Sequence, residues 1–197
     1  HHSYSSLITS KNKNVNSKWK KIKFNRPNEY MEEYTIFPSE ELSPYDIFYN
    51  GNESFLSIIK ALLLHNPKNI KSLFITDKIN KYGIYGIYLN KNREYNQYII
   101  DDFFPCDHRR NMDCFSHGSK NTIWLQIIEK CYAKAYGSYY NKSNLNTDTI
   151  LYDFITAPID SLDNYSNNLF SSIKLAIDEN WLVLFYTDNS ESYQGLL

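Results

Sequence analysis

The side chains best suited to chemistry in this sequence are three cysteines, and the reaction that they could support is nucleophilic attack by a thiolate. A reactive cysteine usually lies at the start of a helix, near a positive group that keeps the thiol ionised. Cys131 instead lies within an apolar helical period, Cys114 lies in a polar loop, and Cys106 follows a predicted strand. We therefore predict that all three are ordinary thiols. A metal cluster of Cys106, His108, Cys114 and His117 is the alternative, but the spacing of these residues matches no standard zinc-binding pattern.

Two adjacent carboxylates, Asp101 and Asp102, are the next candidates, because paired acids can act as general acid and base. They follow a run of β-branched and aromatic residues directly. We identify no partner in the sequence that would complete an acid/base site. We therefore interpret the pair as a turn at the end of a strand.

Two helices are predicted by apolar spacing. Apolar residues recur at intervals of three and four within residues 123–140 and so predict one buried helical face. These residues are Trp124, Ile127, Ile128, Cys131, Tyr132 and Ala135. Gly137 follows the last of them and predicts the end of the helix, because glycine readily adopts the left-handed conformation found there. The apolar run at residues 55–64 predicts a second helix, which stops before Pro67.

Shorter apolar runs complete the prediction. Residues 83–89 and 95–100 are rich in tyrosine and isoleucine and flank a polar turn, which indicates a β-hairpin. Residues 169–177 predict a further helix. Residues 181–186, which read WLVLFY, predict a buried strand.

Segment 123–140, which reads IWLQIIEKCYAKAYGSYY, resembles a block of the calpain family close to E-F-W-x-x-L-L-E-K-A-Y-A-K-x-x-G-S-Y. The matching residues are Trp124, Ile127, Ile128, Glu129, Lys130, Tyr132, Ala133, Lys134, Gly137, Ser138 and Tyr139. Residues 83–105 also resemble the family's strand pattern, which ends in D-D-x-L-P, and residues 24–29 resemble its W-x-R-P-x-E. The resemblance covers roughly residues 24–197. It implies a calcium-regulated cysteine endopeptidase.

The fold that this resemblance implies is α+β and papain-like. We expect mainly the helical N-terminal lobe with the β-hairpin, and an incomplete C-terminal lobe. Residues 1–22 are polar and are expected to form a leader or linker, and residues 23–197 form the protease core. Because residues 195–197 resemble the G-L-V that precedes the family's catalytic histidine, we expect the chain to stop just before that residue.

The family's nucleophile motif, D-I-x-Q-G-x-x-G-D-C-W-x-L, corresponds to residues 46–56. If Phe55 is paired with the motif's tryptophan, Ser54 takes the position of the catalytic cysteine. If Gly51 is paired with the motif's second glycine, Glu53 takes that position instead. We prefer Ser54. A serine hydroxyl ionises far less readily than a thiol, so the chain as given is predicted to be inactive.

The position of the glutamine that stabilises the oxyanion falls on Tyr49 or Asn50, and neither is glutamine. Two functions therefore stay open. The first is the core of a calpain-type protease, and the second is a calpain-derived pseudoprotease that binds or scaffolds. An unrelated binding domain would require both matching blocks to be accidental.

The resemblance also implies calcium, which oxygen ligands bind in this half of the family's core. The matching candidate ligands are Asp46 and Glu129. The alternative for Asp46 is a turn or a helix cap, and for Glu129 it is an ion pair on a helix surface. No organic cofactor is expected.

Composition limits the choice of partner and compartment. The net charge is -1, which supplies no broad phosphate-binding field, so nucleic acid is not expected as a partner. No apolar run reaches the roughly 18 residues of a membrane span. An odd cysteine count favours a reducing, cytoplasmic compartment. The expected partners are a protein substrate or binding protein and the other domains of a larger polypeptide.

Overall fold

The computed structural model describes residues 22–48, 53–107, 112–113, 115–119, 121–139, 145–163 and 165–185, and these form a mixed α+β structure. The strands are β1 (Ile22–Asn25), β2 (Ile47–Phe48), β3 (Ile84–Lys91), β4 (Glu94–Asp101), β5 (Phe104–Asp107), β6 (Met112–Asp113) and β7 (His117–Gly118). The helices are α1 (Glu53–His65), α2 (Lys68–Lys71), α3 (Trp124–Tyr136), α4 (Thr147–Ile155) and α5 (Leu169–Asp178). The chain divides into two compact units, residues 1–156 and 157–197.

The predicted hairpin is confirmed as β3 and β4, which pair antiparallel from Ile84 opposite Asp101 to Lys91 opposite Glu94. The two turn residues, Asn92 and Arg93, have φ angles of 56° and 66°. Two successive residues in the left-handed region form the turn that matches the twist of a tight hairpin. The remaining strands form two small antiparallel sheets, one ordered β1-β5-β6 and the other pairing β2 with β7.

Both predicted helices of the first unit are confirmed. Helix α3 ends at Gly137, whose φ of 92° is left-handed, as its position predicted. Helix α1 ends at His65, just before Asn66 and Pro67. Helix α3 packs against the β3–β4 hairpin, and α1 packs against α2 and α4. Almost every residue of α3 is buried, so it is the central element of this unit.

In the second unit the predicted helix is confirmed as α5, but the predicted buried strand at 181–186 is wrong. Residues 181–185 form no strand, and Trp181 is 59% exposed. The amide of Trp181 donates to the carbonyl of Ala176 (2.8 Å) and so continues the end of α5. A strand needs a neighbour for its backbone hydrogen bonds, and none pairs with this segment in the part of the unit that the structure describes. Residue 186 lies outside that part.

No helix in the described segments is both long enough and apolar enough to cross a bilayer.

Candidate active site

The predicted nucleophile position lies at the start of α1. Ser54 is the second residue of this helix, in its first turn, and its side chain is partly exposed. The first amides of a helix have no partner within it, so this end carries partial positive charge that favours an anion. Glu53, the alternative position, begins the helix. Tyr49 and Asn50, the candidate oxyanion positions, lie outside the described residues.

The start of α1 is anchored by an aromatic cluster beneath it. Phe55 is fully buried, and its ring lies 5.1 Å from that of Tyr132 on α3 and 6.0 Å from that of Phe154 on α4. The rings of Tyr132 and Phe154 stack at 5.6 Å. Such aromatic pairs contribute about 0.5–1.5 kcal/mol each beyond the area that they bury. Three helices thus fix the residue next to Ser54.

A buried carboxylate completes this cluster. Asp153 accepts hydrogen bonds from the phenol groups of Tyr132 (2.7 Å) and Tyr136 (2.6 Å) through one oxygen, Oδ2. Burial raises the pKa of Asp153, although the two phenol hydrogen bonds oppose that rise. Burial likewise raises the pKa of both tyrosines, so they stay protonated as donors. Sequence reasoning missed this network, because the pattern around Asp153 gave no sign of which side chains it would meet.

The segment that leads toward Ser54 is held by the short β2–β7 sheet. The amide of Ser119 donates to the carbonyl of Asp46 (2.8 Å), and the ring of Phe48 stacks on His117 at 5.5 Å. Gly118 lies between His117 and Ser119 in the sequence. A Cβ atom at Gly118 would lie 2.5 Å from Oγ1 of Thr122, which leaves no space for a side chain.

Glu129 lies inside the protein, so its interpretation as a surface ion pair is wrong. It is 1% exposed, and its carboxylate accepts hydrogen bonds from the amide (3.2 Å) and the hydroxyl (3.4 Å) of Ser116. The amphipathic period assigned position 129 to the exposed face of α3. Instead, residues 115–119 cover that face and place a hydrogen-bond donor against the acid.

The described residues do not by themselves make a calcium site. They contain no group of three or more His, Cys, Asp or Glu side chains that could share a metal ion. Calcium takes six to eight oxygen ligands. Asp46 is partly exposed at the end of a single helical turn, Pro44–Asp46, and both oxygens of Glu129 already accept hydrogen bonds from Ser116. Calcium binding through Asp46 and Glu129 therefore stays a prediction.

The thiols in the described part of the chain cannot replace the nucleophile. Cys106 and Cys131 are fully buried, as expected for ordinary cysteines. Burial raises the pKa of Cys131, which opposes formation of the thiolate. Cys114 and His108 lie outside the described residues, and His65 is the last residue of α1.

The interpretation of Asp101 and Asp102 as a strand-end turn is confirmed. Asp101 is the last residue of β4. Its carboxylate accepts a hydrogen bond from the amide of Phe103 (2.9 Å) and contacts Nζ of Lys130 (2.5 Å). Asp102 pairs with Nε of Arg26 (2.7 Å). The hydrogen bond to Asp102 is the largest cause of the raised pKa of Arg26. Both acids therefore connect distant segments of the fold.

The sequence was compared with known proteins. The sequence model of the family described as "Calpain family cysteine protease" matches residues 1–195. The chain is 26% identical to human Calpain-12 over 173 residues, which are 84% of this chain and 24% of that protein. It is 37% identical to human Calpain-7 over 70 residues, 35% of this chain and 9% of that protein. It is 32% identical to the Calpain-type cysteine protease ADL1 of Oryza sativa subsp. japonica over 89 residues. That match spans 45% of this chain and 4% of the rice protein.

Proposed function

Because the chain belongs to the calpain family of cysteine proteases, we propose that it serves in a calpain-type endopeptidase domain whose nucleophile position is occupied by Ser54. The observation that carries this proposal is the place of Ser54 in the first turn of α1, directly before the buried Phe55. A nucleophile there is exposed to the partial positive charge of the helix, while its neighbour fixes the backbone.

We propose that the chain in this form does not cleave peptide bonds. Ser54 has a hydroxyl where thiol chemistry needs a group that ionises near neutral pH. Neither Tyr49 nor Asn50 supplies the glutamine amide expected at the oxyanion position. Of the three cysteines, Cys106 and Cys131 are buried far into the core and cannot reach a substrate.

The second candidate function is a pseudoprotease that binds protein without cleaving it. The residues at 49–54 favour it, because both the nucleophile and the oxyanion position have changed type. The start of α1 is packed firmly, with the rings of Phe55, Tyr132 and Phe154 in contact. A folded scaffold that lacks the reacting groups suits a binding role.

Calcium, compartment and partners follow from the family and are proposals for this chain. The chain spans 4–24% of the length of the relatives named above, so we propose that it works beside further domains of a longer polypeptide. We also propose that it acts inside the cell on a protein substrate or partner. Asp46 and Glu129 would hold calcium, the activator of the family, and the role proposed for Ser54 does not depend on it.

Casein cleavage tests these proposals. The protein is the chain with whatever native sequence follows Leu197, as wild type and as Ser54→Cys, with Ca²⁺ or with EGTA. We expect no cleavage by the wild type and calcium-dependent cleavage by Ser54→Cys. Cleavage by the purified wild type would overturn the proposed inactivity. No cleavage by a folded Ser54→Cys protein would favour the pseudoprotease.

A further inference from the structure

Among the described residues, the outer edge of β4 has no backbone partner. The β3–β4 sheet has two strands, and residues 73–76 cover the far side of β3. The amide of Ile75 donates to the carbonyl of Gly86 (2.9 Å) from outside the hairpin, so the backbone of Gly86 points outward. Its partner on β4 is Ile99. In an antiparallel pair the partner's backbone then points outward on the other side.

The same alternation continues along β4 in steps of two. The backbone groups of Gln97 and Tyr95 therefore also point away from β3. No other backbone group in the described part of the chain pairs with them. Native proteins usually shield such an edge, because it is ready to pair with another strand.

Two of the three side chains along this edge, Tyr95 and Ile99, are apolar and exposed. Tyr95 is 63% exposed and Ile99 is 64% exposed. Both lie on the same face of the hairpin as Ile84, which is 51% exposed. Gln97 lies between them, and its side chain donates to the hydroxyl of Tyr88 (3.0 Å). In the described structure, a backbone edge without a partner thus coincides on one strand with two exposed apolar side chains.

We propose that β4 is a homodimer interface, in which a second copy of this chain pairs its own β4 antiparallel to the first. Placing Gln97 on the two-fold axis puts Tyr95 opposite Ile99 of the other copy, twice. Aromatic and β-branched residues are favourable cross-strand pairs. The same register puts Arg93 opposite Asp101 of the other copy, so opposite charges meet at the strand ends, beside the contact that Asp101 already makes with Lys130. A second copy provides both the Tyr95–Ile99 pairs and the Arg93–Asp101 pairs, because the two sides of a two-fold interface are the same surface and must complement each other.

In the monomer, the side chain of Lys134 binds to this edge. Its Nζ donates to the outward carbonyl of Ile99 (2.6 Å), where the second strand would bind. Pairing requires Lys134 to release that carbonyl and swing to solvent. In the described part of the chain, Lys134 is the side chain that binds an outward carbonyl of this edge.

Sedimentation equilibrium of the 197-residue chain, at concentrations up to about 1 mM, tests the proposal. We expect a monomer–dimer equilibrium that Ile99→Lys weakens by about tenfold or more, because each substitution occurs twice across a two-fold axis. Lys134→Ala should strengthen the dimer, since it frees the carbonyl of Ile99. Leu64→Lys is the matched control: Leu64 is 50% exposed at the end of α1, and its substitution should leave the equilibrium unchanged.

Amide hydrogen exchange supplies a second measurement, because the amides of Tyr95 and Gln97 should gain protection as the dimer forms. A wild-type chain that stays monomeric throughout the range would overturn the proposal. A dimer that survives Ile99→Lys with unprotected β4 amides would also overturn it, because the contact would then lie elsewhere. Circular dichroism checks that each variant is folded. The casein assay is independent of both results.

Discussion

Tyr132 and Asp153 are joined by a buried hydrogen bond of 2.7 Å that connects α3 to α4 beneath the start of α1. Asp153 is 3% exposed, and Tyr132 is fully buried. The same carboxylate oxygen accepts from Tyr136. This contact holds the aromatic cluster on which Phe55 rests, so the geometry of the candidate nucleophile position depends on it.

Substitution of this acid tests its structural role. Asp153→Asn replaces a carboxylate with an amide and weakens two hydrogen bonds in the core, so we expect the free energy of unfolding to fall by about 1–3 kcal/mol. Urea denaturation measures the change. Asp77→Asn is the control, because Asp77 is exposed and should change stability by less than about 0.5 kcal/mol. Equal effects of the two variants would show that the network contributes little.

A second prediction separates the structural role of Glu129 from calcium binding. Glu129→Gln keeps one acceptor for Ser116 but removes the charge, and we expect a loss of about 1–3 kcal/mol. The loss should be the same in Ca²⁺ and in EGTA, since Ser116 rather than a metal contacts the carboxylate. Thermal unfolding of wild type, Glu129→Gln and the exposed control Glu33→Gln measures it. A calcium-induced rise in Tm that disappears only in Glu129→Gln would identify Glu129 as a ligand after all.

The third prediction concerns alkaline pH. Burial first, and the charge of Asp102 second, raise the pKa of Tyr85 from 10.0 to about 12. The unfolded chain therefore loses this proton at lower pH than the folded protein does. The contribution of Tyr85 to the free energy of unfolding is fully present below pH 10. It falls by up to about 2–3 kcal/mol as pH rises toward 12. Tyr85→Phe should lose less stability over that interval than wild type does. Parallel pH profiles of the two proteins would refute the raised pKa.

The fourth prediction concerns the end of α3. Gly137 has a φ of 92°, where a Cβ atom is strained, so we expect Gly137→Ala to lower the free energy of unfolding by about 1 kcal/mol or more. Gly137→Asn should lose less, because asparagine tolerates the left-handed region better than alanine does. Denaturation midpoints at equal m-values compare the two. An alanine variant as stable as wild type would contradict the prediction.

Much of the fold could be predicted from the sequence, because its signals are local. The period of α3, the glycine after it, and the two tyrosine-rich runs of the hairpin depend on residues near one another in the chain. The apolar spacing of α3 predicted that only one face of the helix is buried, and that prediction was wrong. Glu129 and Lys130 are both buried, because residues from elsewhere in the chain cover α3.

The structure places Ser54 in the first turn of α1, but its role as the nucleophile position stays a prediction, and the sequence did not predict what surrounds it. The family motif located Ser54 next to an aromatic residue, and α1 begins there. Tyr132 and Phe154, which contact Phe55, come from distant segments of the chain, and no local sequence pattern predicts that they meet. The wrong strand at 181–186 has the same origin, since an apolar run does not specify the partner that it needs.

The most direct test of the central claim is the pH dependence of thiol alkylation at the nucleophile position. Iodoacetamide labelling of Ser54→Cys is compared with Ser57→Cys, one turn further into α1, and each labelled peptide is followed by mass spectrometry. We predict that the thiol introduced at position 54 has a pKa below the ordinary value of about 8.5, and that the thiol at position 57 does not. An ordinary or raised pKa at position 54 would contradict the account, because the start of α1 would then provide no environment for a nucleophile.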